Sequence, residues 1–263
     1  MNFIEIIKGK TFQSWIWLVV LLTIWEMASR LGLVNPFLLP PLSDVLVNLF
    51  KEITTGNLGP RIVNSVIIIL QGMGVSFLLA LAFTLLCVWL TPIESLFNML
   101  STVMSPLPSV AVMPLIIMWF GVNKTAMFAI IVHGVLWALT RHMLDGLRSI
   151  PSIYYEWGKN LCLPPWRMFT DIVFFAIMPE LLSGIRVGWG RAWRAVISAE
   201  MVFGAIGSLG GVGYYIYLNR AYANITNVMT GVIVIALIGI LIESFLFGQI
   251  EKRTVQKWGM TRA

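Results

Sequence analysis

Arg186, Arg191, Arg194 and Glu200 sit inside an otherwise apolar run between Pro179 and Phe203. An arginine at mid-bilayer costs about 2.5–3.5 kcal/mol on insertion scales, so these groups must face a protein interior or a wet cavity. A guanidinium offers paired, planar donors that match the oxygens of sulfonate, nitrate or carboxylate. At about 100° per residue, Arg191, Arg194 and Ser198 share one helix face, and Arg186, Trp193 and Glu200 share roughly the opposite one. Arg194 and Glu200 are therefore not expected to pair within one helix. One reading makes this segment the lining of a path for an anion; the other has the charges pair with neighbouring helices and simply hold a bundle together. Other chemistry is sparse. The two histidines, His133 and His142, form no HExxH, and His133 reads as a satisfied interior side chain. Cys87 and Cys162 give neither a disulfide framework nor a metal spacing, so no metal is expected. No GxxxxGK[ST] loop occurs, so no ATP site or other bound cofactor is expected in this chain.

The elements that must position these residues are membrane helices. Of 263 residues, 58% are hydrophobic and 11% charged, against roughly 25% charged in soluble domains. One soluble core of this size cannot bury that excess, and the long apolar runs lack the period-two alternation of a barrel. Spans are expected at about Trp15–Ala28, Ile62–Leu90, Leu96–Phe120, Ala126–Leu139, Pro179–Phe203 and Val228–Phe247. The first carries interfacial tryptophans at 15, 17 and 25, and no cleaved leader is expected before it. In the second, Gly72, Gly74, Ser76, Ala80 and Ala82 would let another helix approach closely. The third contains Pro106, Pro108 and Pro114, which break the hydrogen-bond ladder and place it toward the interior. Ser43 or Asp44 should cap a short surface helix reaching about Ile53, with Val45, Leu46, Leu49 and Phe50 on one face.

Between the fourth and fifth spans, Arg141–Asp171 is polar and is the longest stretch unable to cross a bilayer. A glycine-rich connection at Gly204, Gly207, Gly210, Gly211 and Gly213 follows the fifth span and leads to an amphipathic stretch near Tyr214–Ala223. With the N-terminus inside, ten basic residues fall on the cytoplasmic side, Lys8, Arg141, Lys159 and Arg262 among them. Five fall outside and three within the fifth span. That bias supports both termini in the cytoplasm. The net charge of +6 is spread in ones and twos between apolar runs, which argues against a nucleic-acid partner.

Glu156-Trp-Gly-Lys-Asn-Leu-Cys162, continuing through Ile172 and Phe174-Phe175, resembles the cytoplasmic Glu-Ala-Ala loop of inner-membrane permeases of binding-protein-dependent ABC importers. Glu156 falls on that motif's glutamate and Cys162 on its glycine; Trp157 and Gly158 replace its alanines, and Phe175 its proline. Phe37–Val45, Pro106–Gly121 and Gly184–Glu200 look like the nitrate, sulfonate and taurine branch, in the right order along the chain. The resemblance implies an all-α polytopic bundle of about six transmembrane helices with type I importer architecture, in a bacterial inner membrane. It implies one permease domain over residues 1–263: an N-terminal part at 1–60, a core at 61–250 and a coupling loop at 141–178. It further implies a second permease copy, two ATPase subunits that use ATP and Mg, and an external substrate-binding protein. The coupling residues would be Glu156, Trp157, Gly158, Leu161, Cys162, Leu163 and Trp166. The path residues would be Arg191, Arg194, Ser198, Trp193, Glu200, Pro106 and Pro108. The binding protein would dock near Pro36–Pro60 and Gly204–Asn224, and the solute would be a small anion, with a sulfonate-like one favoured. If the motif glycine sits in a turn with positive φ, Cys162 must be strained there or the turn reshaped. The rival without an ATPase is an ion-coupled secondary transporter, although no internal repeat is evident and Glu200 is the sole carboxylate clearly within a span.

Overall fold

The computed structural model describes residues 10–206 and 209–257, and among these every regular element is a helix. Lys8, Gly207 and Arg262 lie outside the described residues. In chain order the helices are α1 (Lys10–Arg30), α2 (Leu42–Thr54), α3 (Leu58–Trp89), α4 (Thr91–Met104) and α5 (Ser109–Phe120). Then follow α6 (Lys124–Arg148), α7 (Ser152–Asn160), α8 (Pro165–Phe203), α9 (Val212–Ala221) and α10 (Ile225–Arg253).

α6 is the central helix and packs against α3 on one side and α8 on the other. Small residues set both approaches. On α3 the contact row is Gly72, Ser76 and Ala80, spaced by four and all buried; Gly74 meets nothing within 4 Å and Ala82 is exposed, so neither contributes. Ile131 of α6 fills the space over Gly72. On α8, Gly184 faces Leu139 and His142, and a Cβ there would fall 2.8 Å from the Cβ of His142. Gly188 likewise faces Val135. In lipid, such packing and not hydrophobic exclusion holds helices together.

Among the described residues four helices, α3, α6, α8 and α10, are long and apolar enough to cross a membrane, and the pair α4–α5 would make a fifth if counted as one bent span. The single third span expected over Leu96–Phe120 is thus replaced by two helices meeting at 106°. The cause is Ser105-Pro106-Leu107-Pro108. Two prolines remove two amide donors, and Leu107, preceding Pro108, is pushed out of the helical region. α5 resumes after Pro108, whose ψ of 136 is extended.

Two other boundaries differ from expectation. α6 continues past Leu139 to Arg148, and α8 begins at Pro165 and runs straight through Pro179. At 1.5 Å per residue α8 is about 58 Å long, well beyond a hydrocarbon core of about 30 Å. Its first turns carry Arg167, Thr170 and Asp171, which interrupt the apolar run that marks a span in the sequence. They include a π-helical turn at Met168–Val173. α1 packs mainly against α2 and is pinned at its far end. There Arg30 and Ser43 both bond Glu26, Trp25 donates to the Pro40 carbonyl, and Ser29 donates to the Leu39 carbonyl. Ser43 therefore does not cap α2; Pro41 occupies that position without a side-chain bond. α2 lies against α10, burying Val45, while Leu46 and Phe50 stay exposed.

Candidate functional site

The break between α4 and α5 faces the polar side of α8. Ser105, Pro106 and Pro108 from the break, with Arg191, Arg194 and Ser198 from α8, wall a cavity of about 470 Å³. Arg191 is half-buried, and its Nη1 lies 3.5 Å from both Ser105 Oγ and the Gly134 carbonyl. Arg194 is exposed, with no hydrogen bond or ion pair among the described residues. Two unneutralised guanidinium groups, one turn apart on one wall, make the cavity an electropositive place for a small oxyanion.

His133 lines the same cavity from α6, but neither ring nitrogen has a hydrogen-bond partner among the described residues. The expectation of a satisfied interior histidine is thereby corrected: its neighbours on α6 are apolar, and the facing wall brings no group within reach. A second cavity, of about 310 Å³, lies beside the first and takes in Thr102, Trp137, Arg141 and His142.

Trp193 and Glu200 are elsewhere. Both are buried on the opposite face of α8, as the helical spacing requires. Trp193 stacks on Trp189 with centroids 6.2 Å apart. Glu200 is 2% exposed and accepts bonds from Ser65 of α3 and the Gly213 amide. Neither borders the cavity. Arg186, on that same face but nearer the α7 end, lies 3.4 Å from Glu243 and 3.8 Å from Glu251 of α10. The charges of this segment therefore divide. Arg186 and Glu200 tie helices together, while Arg191 and Arg194 face open space.

The polar loop between α6 and α8 folds as α7, a turn, and the start of α8. Gly158 is buried against Met168 and Ile172 of the π-helical turn, where any side chain would meet the Met168 thioether. Trp157 stands edge-on to Tyr154, with centroids 5.5 Å apart, and both border a groove of about 530 Å³ with Ile172, Phe175 and Pro179. Leu161 and Trp166 are 70% and 63% exposed. Glu156 and Lys159 are exposed beside them, and Leu163 is half-buried.

Residues 91–256, more than half of the chain, match the family described as binding-protein-dependent transport system inner membrane component. The chain belongs to this family. Among its relatives is the putative aliphatic sulfonates transport permease protein SsuC of Bacillus subtilis (strain 168), 28% identical over 91% of this chain and 84% of that protein. The taurine transport system permease protein TauC of Escherichia coli (strain K12) is 23% identical over 86% of this chain and 82% of its own length. The nitrate import permease protein NrtB of Synechocystis sp. is 23% identical over 59% of this chain and 53% of its own. The chain is accordingly a multi-pass membrane permease of the sulfonate, taurine and nitrate branch, all-α in fold, and a transport component and not an enzyme.

Within such a permease the departure at Cys162 has a visible consequence. Cys162 has φ 50, one of two non-glycine residues with positive φ among the described residues, the other being Ala223. The turn keeps the left-handed geometry suited to glycine, and the cysteine carries the strain. Its amide bonds the Lys159 carbonyl at 2.9 Å, and the Leu163 amide bonds the Gly158 carbonyl at 3.0 Å. Reasoning from sequence missed Ser65, Ser105 and Gly134. Ser105 had a usable signal, since a hydroxyl placed at a double-proline break stands where backbone groups lose their helical partners.

Proposed function

We propose that the chain pairs with a second copy to form the membrane path of an ATP-driven importer for a small organic oxyanion, sulfonate-like in charge and shape. The observation that carries this is the placement of Arg191 and Arg194 on one wall of a cavity at the proline break, without a carboxylate of the described residues to neutralise either. ATP and Mg belong to two partner ATPase subunits, which dock on the α7 loop through Trp157, Leu161 and Trp166 beside Glu156 and Lys159. Gly158 and Leu163 shape that docking face from within, and Cys162 shapes it through its turn. A loaded external binding protein docks at the opposite end, near α2 and the Gly204–Asn224 segment, with both termini of the permease in the cytoplasm. The names of the sulfonate, taurine and nitrate relatives support the solute class. ATP-driven movement of the α7 loop would rock α6 and α8 between inward- and outward-open arrangements, since α8 runs unbroken from the loop to the cavity.

The test is ATP hydrolysis by the permease purified with its ATPase, reconstituted in liposomes, with and without binding protein and a panel of anions. Stimulation by one loaded binding protein is the expected result. Failure to form a complex with any ATPase, together with uptake driven by an ion gradient, would replace this reading with a secondary transporter.

A further inference from the structure

This inference rests on the reading of the cavities as the solute's path and concerns what divides them. The larger cavity takes His133 and Gly134 from α6, and the smaller takes Trp137 through His142 one to two turns further along. On α8 the order is reversed, with Val187 on the smaller and Arg194 and Ser198 on the larger. The two spaces are therefore stacked along the bundle, the smaller toward α7. Among the described residues, Ser105 and Arg191 border both cavities.

Across that boundary Arg191 Nη1 spans from Ser105 at the α4–α5 break to the Gly134 carbonyl of α6, each 3.5 Å away. The two acceptors are neutral and the distances sit at the long limit of a hydrogen bond. No carboxylate of the described residues lies within ion-pair distance of Arg191. A charge-assisted bond to an oxyanion is roughly twice as strong as one to a neutral acceptor, and a sulfonate or carboxylate can engage a guanidinium with two oxygens at once. An oxyanion reaching this level thus competes successfully with Ser105 and Gly134 for the same guanidinium.

We propose that Arg191 is a partition released by the solute itself. Bound to Ser105 and Gly134 it closes the way between the stacked cavities; bound to an oxyanion it leaves the break and lets the solute pass. A neutral or cationic solute offers Arg191 no better partner and leaves it closed, so one residue couples passage to the solute's charge.

Thiol accessibility in the reconstituted permease–ATPase complex tests this. Cysteines replace Thr102 in the smaller cavity or Ser198 in the larger, in a Cys162→Gly background that leaves the buried Cys87 in place. A neutral, hydrophilic, membrane-impermeant maleimide is added from the α2 face. With Arg191 present, S198C reacts and T102C is protected. Adding ethanesulfonate speeds T102C modification about tenfold, the scale of one hydrogen bond to a charged group, whereas choline does not. Arg191→Ala and Arg191→Gln remove the protection without any anion, and Arg191→Lys retains it in part. The ethanesulfonate arm needs no substitution at Arg191, so it decides the matter even if those variants fail to assemble. Equal T102C modification with and without ethanesulfonate, beside a reactive S198C, overturns the partition and leaves the path standing. Protection of S198C in every condition shows that the cavity is no part of a path and removes the proposed function with it.

Discussion

Ser65 of α3 donates its hydroxyl to the Glu200 carboxylate of α8, 2.7 Å from one oxygen and 3.0 Å from the other. The same hydroxyl accepts from the Val212 amide at 3.0 Å, and Glu200 also accepts from the Gly213 amide at 2.8 Å. Two long helices and the start of α9 are thus locked at one buried point, the end of the bundle where the glycine-rich connection turns back. Arg61 stacks over Tyr214 beside it, 5.4 Å from the ring centroid. Glu200→Ala leaves the Ser65 hydroxyl and the Gly213 amide without acceptors. Each such loss costs about 1–3 kcal/mol, so a clear fall in melting temperature is expected in detergent. Glu200→Gln retains an acceptor oxygen and should fall less. Unchanged melting of Glu200→Ala would show that the lock does not hold the fold.

Gly213 must be glycine for a steric reason. A Cβ there would collide with the Ile197 carbonyl, a backbone atom of α8 that cannot yield as a side-chain tip would. Gly213→Ala must therefore displace α9 from α8 and break the bond from its own amide to Glu200. The expected result is a loss of stability larger than that of Ser65→Ala, read by thermal unfolding of the two variants side by side.

How much of this was legible in the sequence depended on whether a residue's role is local. The 100° arithmetic that separated Arg191, Arg194 and Ser198 from Trp193 and Glu200 is a property of one helix, and it placed the first three on the cavity wall and the others in the core. The prolines marked where backbone donors are lost, because the missing donors belong to Pro106 and Pro108 themselves, but a single span was expected there and the 106° turn between α4 and α5 was not. Glu200 was grouped with the path because an intramembrane carboxylate suggests function, yet its partners Ser65 and Gly213 come from other segments and no spacing reveals them. The start of α8 was misplaced because Arg167, Thr170 and Asp171 interrupt the apolar run and Pro179 suggested a helix start, whereas one helix accommodates all four.

At Cys162 the left-handed backbone imposes on a side chain a cost of about 1–2 kcal/mol that glycine avoids. Cys162→Gly is expected to stabilise the α7 turn, or at least to leave ATPase association undiminished. Cys162→Val, β-branched, should weaken it. Co-purification of the ATPase with each variant reads the order directly, and a valine variant that associates as well as glycine would mean that the turn relaxes without cost.

Arg194 separates the path reading from the structural one. It is exposed on the cavity wall and bonds nothing among the described residues, so its removal deprives no buried group of a partner. Arg194→Ala should therefore change stability by no more than about 0.5 kcal/mol, the usual range for surface positions away from special contacts. Uptake of a sulfonate probe by the reconstituted complex should nevertheless be abolished, with assembly with the ATPase intact. Arg194→Lys keeps the charge but loses the paired planar donors, so it should recover only part of the uptake. A variant that transports normally would take Arg194 off the path, while one that fails to assemble would mean that the guanidinium holds the second copy in place and serves the bundle instead of the solute.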